Sequence, residues 1–275
     1  MSEALGTTRP RPLALVTGAS SGIGLELAKQ FVEHNYDLVI AAEDDDVRTV
    51  AEDLSASGAV VRPIQVDLRD LEAVERLWAQ ASEGGRPVDA VVLNAGVGEG
   101  GPFVSTDLAE ELDIIDLNVR STVTLAKWAL GDMAARNEGK MLITSSIAAT
   151  MPGSYQAVYN ASKSFLQSFA EALQEELKDT GITVTSLMPG PTETNFFHRA
   201  HMDDTKIGQM DKDNPAQVAR QGFEALMKGR GRVVAGSVKT KAQEAANKVL
   251  PDKVKAAAHR LMAEPNSSEQ NGGTR

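Results

Sequence analysis

The chain has 275 residues, a formal net charge of -10 and an isoelectric point near 5.0. That acidic balance argues against a nucleic-acid partner, which leaves a basic footprint, and the length suffices for one complete α/β core. There is no Cys, which excludes disulfides, thiolate metal sites and thiol nucleophiles. No apolar run is long enough to span a bilayer, and the polar stretch Met1 to Arg11 does not read as a signal peptide, so a cytoplasmic location is expected.

Leu13 to Val16 is a short apolar run that reads as a strand. It leads into Thr17-Gly18-Ala19-Ser20-Ser21-Gly22-Ile23-Gly24, after which Ile23, Leu27, Phe31 and Val32 recur at helical spacing. Strand, glycine turn and helix N-terminus together suit a pyrophosphate, because backbone N–H groups point at it and glycines let it approach. The second strand, Leu38 to Ala42, ends at Glu43, with Asp44, Asp45 and Asp46 following. An acid about 20 residues past a glycine turn is placed for an adenosine ribose and would repel a 2′-phosphate. No Lys or Arg stands in the turn or directly after this strand, so NAD(H) is favoured, with NADP(H) as the alternative. Helix capping is the plainer role for these acids, and Asp46 is read as the cap.

A helix through Val50 and Leu54 ends at Gly58. The third strand, Val60 to Val66, contains Pro63, which suits only an edge position. Asp67 follows, either reaching an adenine amino group or capping a helix from Leu71 to Trp78. Asp89 to Leu93 is a fourth strand running into Asn94-Ala95-Gly96 and a glycine-rich loop. Leu108, Leu112, Ile115, Val119, Val123 and Ala126 predict a long amphipathic helix, in which Asn118 is out of place unless buried with a role. Met141 to Thr144 is a fifth strand, ending in Ser145-Ser146. A helix is expected from Tyr155 to Lys178, ended by Gly181, then a sixth strand from Ile182 to Met188 ending in Pro189-Gly190. Pro191 to Asp213 reads as a lid-like substrate loop, Pro215 to Met227 as a helix, and Arg232 to Ala235 as a seventh strand.

Within the helix before the sixth strand, Tyr159 and Lys163 are four residues apart and share a face. A phenol titrates near ~10; a neighbouring ammonium is expected to lower that value and make the pair an acid/base device. The alternation of strands and helices predicts one α/β domain of the doubly wound Rossmann type. Its seven-stranded parallel sheet has the order 3-2-1-4-5-6-7, with helices on both faces. Gly18, Asn94, Ser146 and Pro189 all fall at carboxyl ends of strands, where such sheets bind ligands.

With T-G-A-S-S-G-I-G at Thr17 to Gly24, N-A-G at Asn94 to Gly96, Asn118, Ser146, Y-N-A-S-K at Tyr159 to Lys163 and P-G-P-T-E-T at Pro189 to Thr194, the chain resembles the short-chain dehydrogenase/reductase family from about Leu13 to Ala235. The resemblance implies hydride transfer between a nicotinamide dinucleotide and a small-molecule carbonyl or secondary alcohol. Tyr159 would be the general acid or base. Lys163 would bond the nicotinamide ribose and lower the Tyr159 pKa, Ser146 would bond the substrate oxygen, and Asn118 would hold a water leading from Lys163 to solvent. The cofactor would be lined by Gly18, Ser20, Ser21, Gly22, Ile23, Gly24, Glu43, Asp67, Leu68, Asn94, Ala95, Gly96, Pro189, Gly190, Thr192 and Thr194, together with Tyr159 and Lys163. The resemblance also implies a homodimer or homotetramer built on the helices of Asn118 and Tyr159.

Residues 1–11 read as a flexible arm, 12–236 as the catalytic domain with its substrate loop at 191–213, 237–263 as a helical extension and 264–275 as a disordered tail. The extension is rich in Lys239, Lys241, Lys248, Lys253, Lys255 and Arg260. It reads as helices packing on the body or on a partner subunit; docking to an acidic partner or a membrane surface is the lesser reading. His198 and His201, with no carboxylate pattern nearby in sequence, read as loop histidines, and no metal site is expected. Phe196, Phe197 and Met202 suit either an apolar substrate pocket or the core. A catalytically silent dinucleotide sensor or scaffold is the alternative function.

Overall fold

The computed structural model describes residues 11–247 and 250–265. The expected arm, apart from Arg11, and the tail beyond Pro265 lie outside the described residues, as do Lys248 and Val249. Seven strands, β1 (Leu13–Thr17), β2 (Asp37–Ala42), β3 (Val61–Gln65), β4 (Ala90–Leu93), β5 (Gly139–Thr144), β6 (Ile182–Pro189) and β7 (Arg232–Ala235), form one sheet in the order β3-β2-β1-β4-β5-β6-β7. Every pairing is parallel. Pro63 lies on the edge strand β3, opposite Ile40, where its missing N–H breaks no interior ladder.

The helices are α1 (Gly22–Glu33), α2 (Asp46–Ser55), α3 (Leu71–Ala81), α4 (Leu108–Ile114), α5 (Ser121–Arg136), α6 (Ala157–Glu176), α7 (Phe196–Arg199), α8 (Lys206–Gln209), α9 (Pro215–Met227), α10 (Val238–Asn247) and α11 (Asp252–Ala263). Both sheet faces are covered, so the strands read as continuous apolar runs rather than alternating ones. On one face Leu15, Val39, Val91 and Ile143 pack with Leu77 of α3, Leu125 of α5 and Leu166 of α6. On the other, Val16, Ile40, Val92 and Leu142 pack with Phe31 of α1, Val47 of α2 and Phe223 of α9.

Several local expectations are corrected. Asp45, not Asp46, precedes α2, and its side chain makes no capping bond. Asp70, not Asp67, caps α3 by accepting from the Glu72 N–H at 2.9 Å. The helix expected from Tyr155 begins at Ala157, because Tyr155 adopts φ +64° in the preceding turn, and it ends at Glu176, short of Gly181. The long helix around Asn118 is interrupted by a π-helical turn, Ile115–Arg120. The inward positions there are Ile114, Leu117 and Leu125, while Leu108, Leu112 and Ile115 of the expected stripe are exposed. The extra residue in a π turn changes the phase of the helix. The segment from 191 to 213 is not one loop but contains α7 and α8.

The chain after β7 forms α10 and α11. Helix α11 lies against the turn before α6: Lys255 Nζ donates to the Thr150 carbonyl at 3.0 Å, and Ser154 Oγ donates to the Ala256 carbonyl at 3.2 Å. Its Ala263 joins a small apolar cluster with Phe197, Ala200 and Met202. Among the described residues, no helix is long and apolar enough to cross a membrane.

Candidate active site

A cleft opens along the carboxyl ends of the strands. It is lined by every residue expected at the site except Gly24 and Asn118. Gly24 sits behind it, where a Cβ would lie 2.0 Å from the Gly18 carbonyl oxygen, so the residue lets the turn close on itself. Gly22 has φ +55°, and a Cβ there would come within 2.9 Å of the Thr194 methyl. This cradle fits a dinucleotide pyrophosphate. Only glycine builds it, and the Ser21 side chain makes no cap bond, so the first-turn N–H groups of α1 keep their donor capacity. Asn94 ties the strand ends together. Its backbone N–H donates to Thr17 Oγ1 at 3.0 Å, and its Oδ1 accepts from Thr144 Oγ1 at 3.2 Å.

Glu43, expected to face an adenosine ribose, lines one end of the cleft. No basic residue neighbours it in sequence, yet Arg69 Nη2 lies 3.1 Å from its carboxylate, and Arg199 of α7 ion-pairs with it from across the cleft. Arg69 also holds Asp67 at 2.8 Å and Asp113 at 2.9 Å, which keeps the Asp67 carboxyl below its usual range. Asp44 lies beside this group; its Oδ2 accepts from Ser20 Oγ at 2.9 Å, while its Oδ1 is buried without a partner among the described residues.

At the opposite end, Tyr159 projects from the first turn of α6. Burial pushes its phenol up to about 12, only partly offset by the hydrogen bond from Ser146. In the cofactor-free site burial, not Lys163, sets the direction of the shift: the ammonium nitrogen lies 5.8 Å from the ring centroid, and the net change is upward rather than the expected lowering. Burial likewise pulls Lys163 down to about 8. Lys163 Nζ donates to the Thr144 carbonyl at 3.0 Å. Ser146 is fixed at the start of a short 3-10 turn, its hydroxyl accepting from the Ala148 N–H at 3.1 Å. Asn160 holds that turn by donating to the Ala148 and Met151 carbonyls, both at 3.2 Å.

Asn118, fully buried in the π turn, accepts from the Val97 N–H at 2.9 Å and donates to the Val97 carbonyl at 2.9 Å and to Ser162 Oγ at 3.0 Å. Both amide hydrogens are thus used on the protein, and one acceptor position is left. The side chain clamps the loop after β4. Gly96 in that loop lies close to both Asn118 and Lys163: a Cβ on it would stand 3.0 Å from Asn118 Oδ1 and 3.3 Å from Lys163 Nζ.

Ile147, Met151, Phe196, Phe197 and Ile207 form an apolar wall beside Tyr159, with the Phe196 ring centroid 5.1 Å from that of Tyr159. Met202 is fully buried and belongs to the core beneath the wall. The histidines are not without carboxylates: His201 Nδ1 lies 3.2 Å from Glu99, and Glu110 stands 3.9 Å away. Burial, with Glu110 adding to it, pushes Glu99 up to about 7. Gln156 and His259 also line the cleft. Sequence reasoning singled out neither of these, nor Arg69 and Arg199.

The sequence profile of the family described as short chain dehydrogenase matches residues 12–205. The chain belongs to the short-chain dehydrogenase/reductase family. It is 34% identical over 200 residues, 72% of its own length and 79% of the relative's, to a probable NADP-dependent dehydrogenase of Haemophilus influenzae. It is 34% identical over 188 residues to a short chain dehydrogenase of Pseudocercospora fijiensis, covering 66% of this chain and 60% of that relative, so that relative is considerably longer than the matched part. The fold matches that of a short chain dehydrogenase/reductase from Burkholderia phymatum in complex with NAD, with a TM-score of 0.78 at 23% identity over 87% of this chain and 92% of that one. This short-chain dehydrogenase/reductase chain is thus a member of an oxidoreductase family with a nicotinamide-dinucleotide-binding fold.

Proposed function

We propose that the protein interconverts a carbonyl compound and a secondary alcohol, with NAD(H) or NADP(H), using Tyr159 as the proton donor or acceptor. The observation that carries this reading is the meeting of Tyr159, Ser146 and Lys163 at one end of the cleft that also holds the glycine cradle. The nicotinamide, when bound, would supply the hydride to the substrate carbon or take it away. Tyr159, protonated at neutral pH, is ready to give its proton to a carbonyl oxygen in reduction. Ser146, at the same end of the cleft, would orient the same oxygen and stabilise charge on it. Lys163 would bond the cofactor ribose, and its positive charge together with that of an oxidised nicotinamide would favour the phenolate needed for oxidation.

Glu43 supports NAD(H) as the preferred cofactor, by repelling a 2′-phosphate; the two guanidiniums beside it support the NADP(H) alternative. A homodimer or homotetramer is supported by the exposed Leu108, Leu112 and Ile115 of the Asn118 helix and Phe165 of α6. A cytoplasmic location accords with the absence of Cys. The test is a fluorescence titration with NADH and with NADPH, followed by a turnover screen of ketones and alcohols with whichever binds more tightly. Binding with turnover is expected. Binding without turnover across the screen would favour a silent dinucleotide sensor instead.

A further inference from the structure

We propose that Gln156 and His259 form a substrate-recognition pair, and that they select a carbonyl or alcohol substrate bearing a second hydroxyl group. The inference rests on the cleft being the substrate site of the reaction proposed above. Gln156 is 4% exposed and His259 6% exposed, and both line the cleft that holds Tyr159. They come from distant parts of the chain. Gln156 immediately precedes α6, three residues before Tyr159, a spacing that puts the two on one side of the helix start. His259 belongs to α11.

The turn before α6, which leads into Gln156, also anchors His259. His259 Nδ1 lies 2.9 Å from the Ser154 carbonyl oxygen. A carbonyl only accepts, so Nδ1 carries the proton. Burial holds the ring neutral by lowering its pKa, which leaves Nε2 as a bare acceptor. Ser154 in turn bonds to Ala256, and the Tyr155 hydroxyl bonds to Glu264 Oε1 at 2.8 Å, so α11 is fastened to the turn on both sides of His259. The Gln156 amide makes no side-chain hydrogen bond among the described residues, nor is it among the fully enclosed unpartnered atoms, and the residue lines the cleft.

A nearly buried amide and an imidazole acceptor, set in a wall of Ile147, Met151, Phe196, Phe197 and Ile207, are costly unless a ligand pairs with them. A hydroxyl satisfies both at once. Its O–H donates to His259 Nε2, and its oxygen accepts from the Gln156 amide. A carboxylate has no proton for Nε2 and is disfavoured. The apolar wall calls for a hydrocarbon body around the two oxygen functions. Since Gln156 is one turn from Tyr159, the hydroxyl would sit a short distance from the reacting carbonyl.

The test is calorimetric binding to the cofactor-loaded protein of a panel of aryl and cyclic ketones, each hydroxylated ketone paired with its dehydroxylated analogue. In at least one pair the hydroxylated ketone should bind about tenfold more tightly. That ratio should fall to near one in Gln156→Leu and in His259→Phe. His259→Asn keeps a donor for the Ser154 carbonyl and so preserves the α11 attachment; it should lose the preference too. Circular dichroism reports folding in each variant. No preference across the panel, or a preference that survives all three substitutions, overturns the proposal. Because the readout is binding, it is separable from the proton-transfer reading: a preference without Tyr159-dependent turnover would sink that reading and leave the recognition pair standing.

Discussion

Glu43 at the end of β2 and Arg199 on α7 form an ion pair across the cleft, though they are 156 positions apart in sequence. The pair ties the segment over the cleft to the end where an adenosine ribose would lie. Both side chains are partly exposed, at 33% and 49%, so the pair itself contributes only about 0.2–1 kcal/mol. Its consequence is selectivity. In the proposed binding mode Glu43 would repel a 2′-phosphate, whereas Arg199 and Arg69 would attract one. Replacing Glu43→Gln removes the repulsion and the charge that holds Arg199, while Arg69 keeps its pairs with Asp67 and Asp113. We expect NADPH affinity to rise about tenfold or more relative to NADH, measured by parallel fluorescence titrations. An unchanged ratio would show that Glu43 does not face the ribose.

The two directions of the reaction should differ in pH dependence. Oxidation needs the Tyr159 phenolate, a small fraction below about 12, so its kcat/KM should climb with pH by up to about tenfold per unit. Reduction uses the protonated phenol, which dominates through neutrality. It should hold level there and decline only as Lys163 loses its charge above about 8. Initial rates in both directions across neutral and alkaline buffers check this. Oxidation that is flat with pH would contradict the assignment.

Lys163 should also cost the fold stability. Its pKa falls from 10.5 in the unfolded chain to about 8 in the buried site. Below about 8 the lysine is charged in both states, and the full cost of burying that charge, roughly 3 kcal/mol, is present. As pH rises from about 8 towards 10.5 only the unfolded chain stays protonated, and stability grows. Lys163→Met should therefore raise the thermal midpoint of the cofactor-free protein at neutral pH, with a smaller gain in alkali, while abolishing turnover. A lower midpoint would mean that the bond to the Thr144 carbonyl outweighs desolvation.

Asn118 should matter for stability as much as for chemistry. Asn118→Leu strands the Val97 N–H and carbonyl, and two unpaired backbone groups cost about 2–4 kcal/mol. Urea unfolding measures this. A loss below about 1 kcal/mol would show that the loop re-pairs elsewhere.

The sheet order was legible because each strand is a short apolar run followed by a turn and a helical period, and Pro63 marks an edge. The cradle and the Tyr159–Lys163 spacing were legible for the same local reason. What escaped the sequence is pairing at a distance. Nothing near Glu43 announces Arg199, nothing near His201 announces Glu99, and nothing in the lysine-rich extension announces that His259 turns inward. The π turn was hidden because the apolar residues from Leu108 to Ala126 fit an unbroken α-helical period, while the observed helix shifts phase at Ile115–Arg120. The direction of the Tyr159 shift was misjudged because a sequence shows the neighbouring charge but not the depth of burial.

If Tyr159 moves the proton, Tyr159→Phe removes the group that does so and leaves the ring in place. Turnover of the best substrate should fall by about two to four orders of magnitude, while the affinity for NADH or NADPH, measured on the same preparation, changes by less than about twofold, because the phenol makes no part of the glycine cradle. Turnover at the wild-type rate in a folded, cofactor-binding variant would contradict the account.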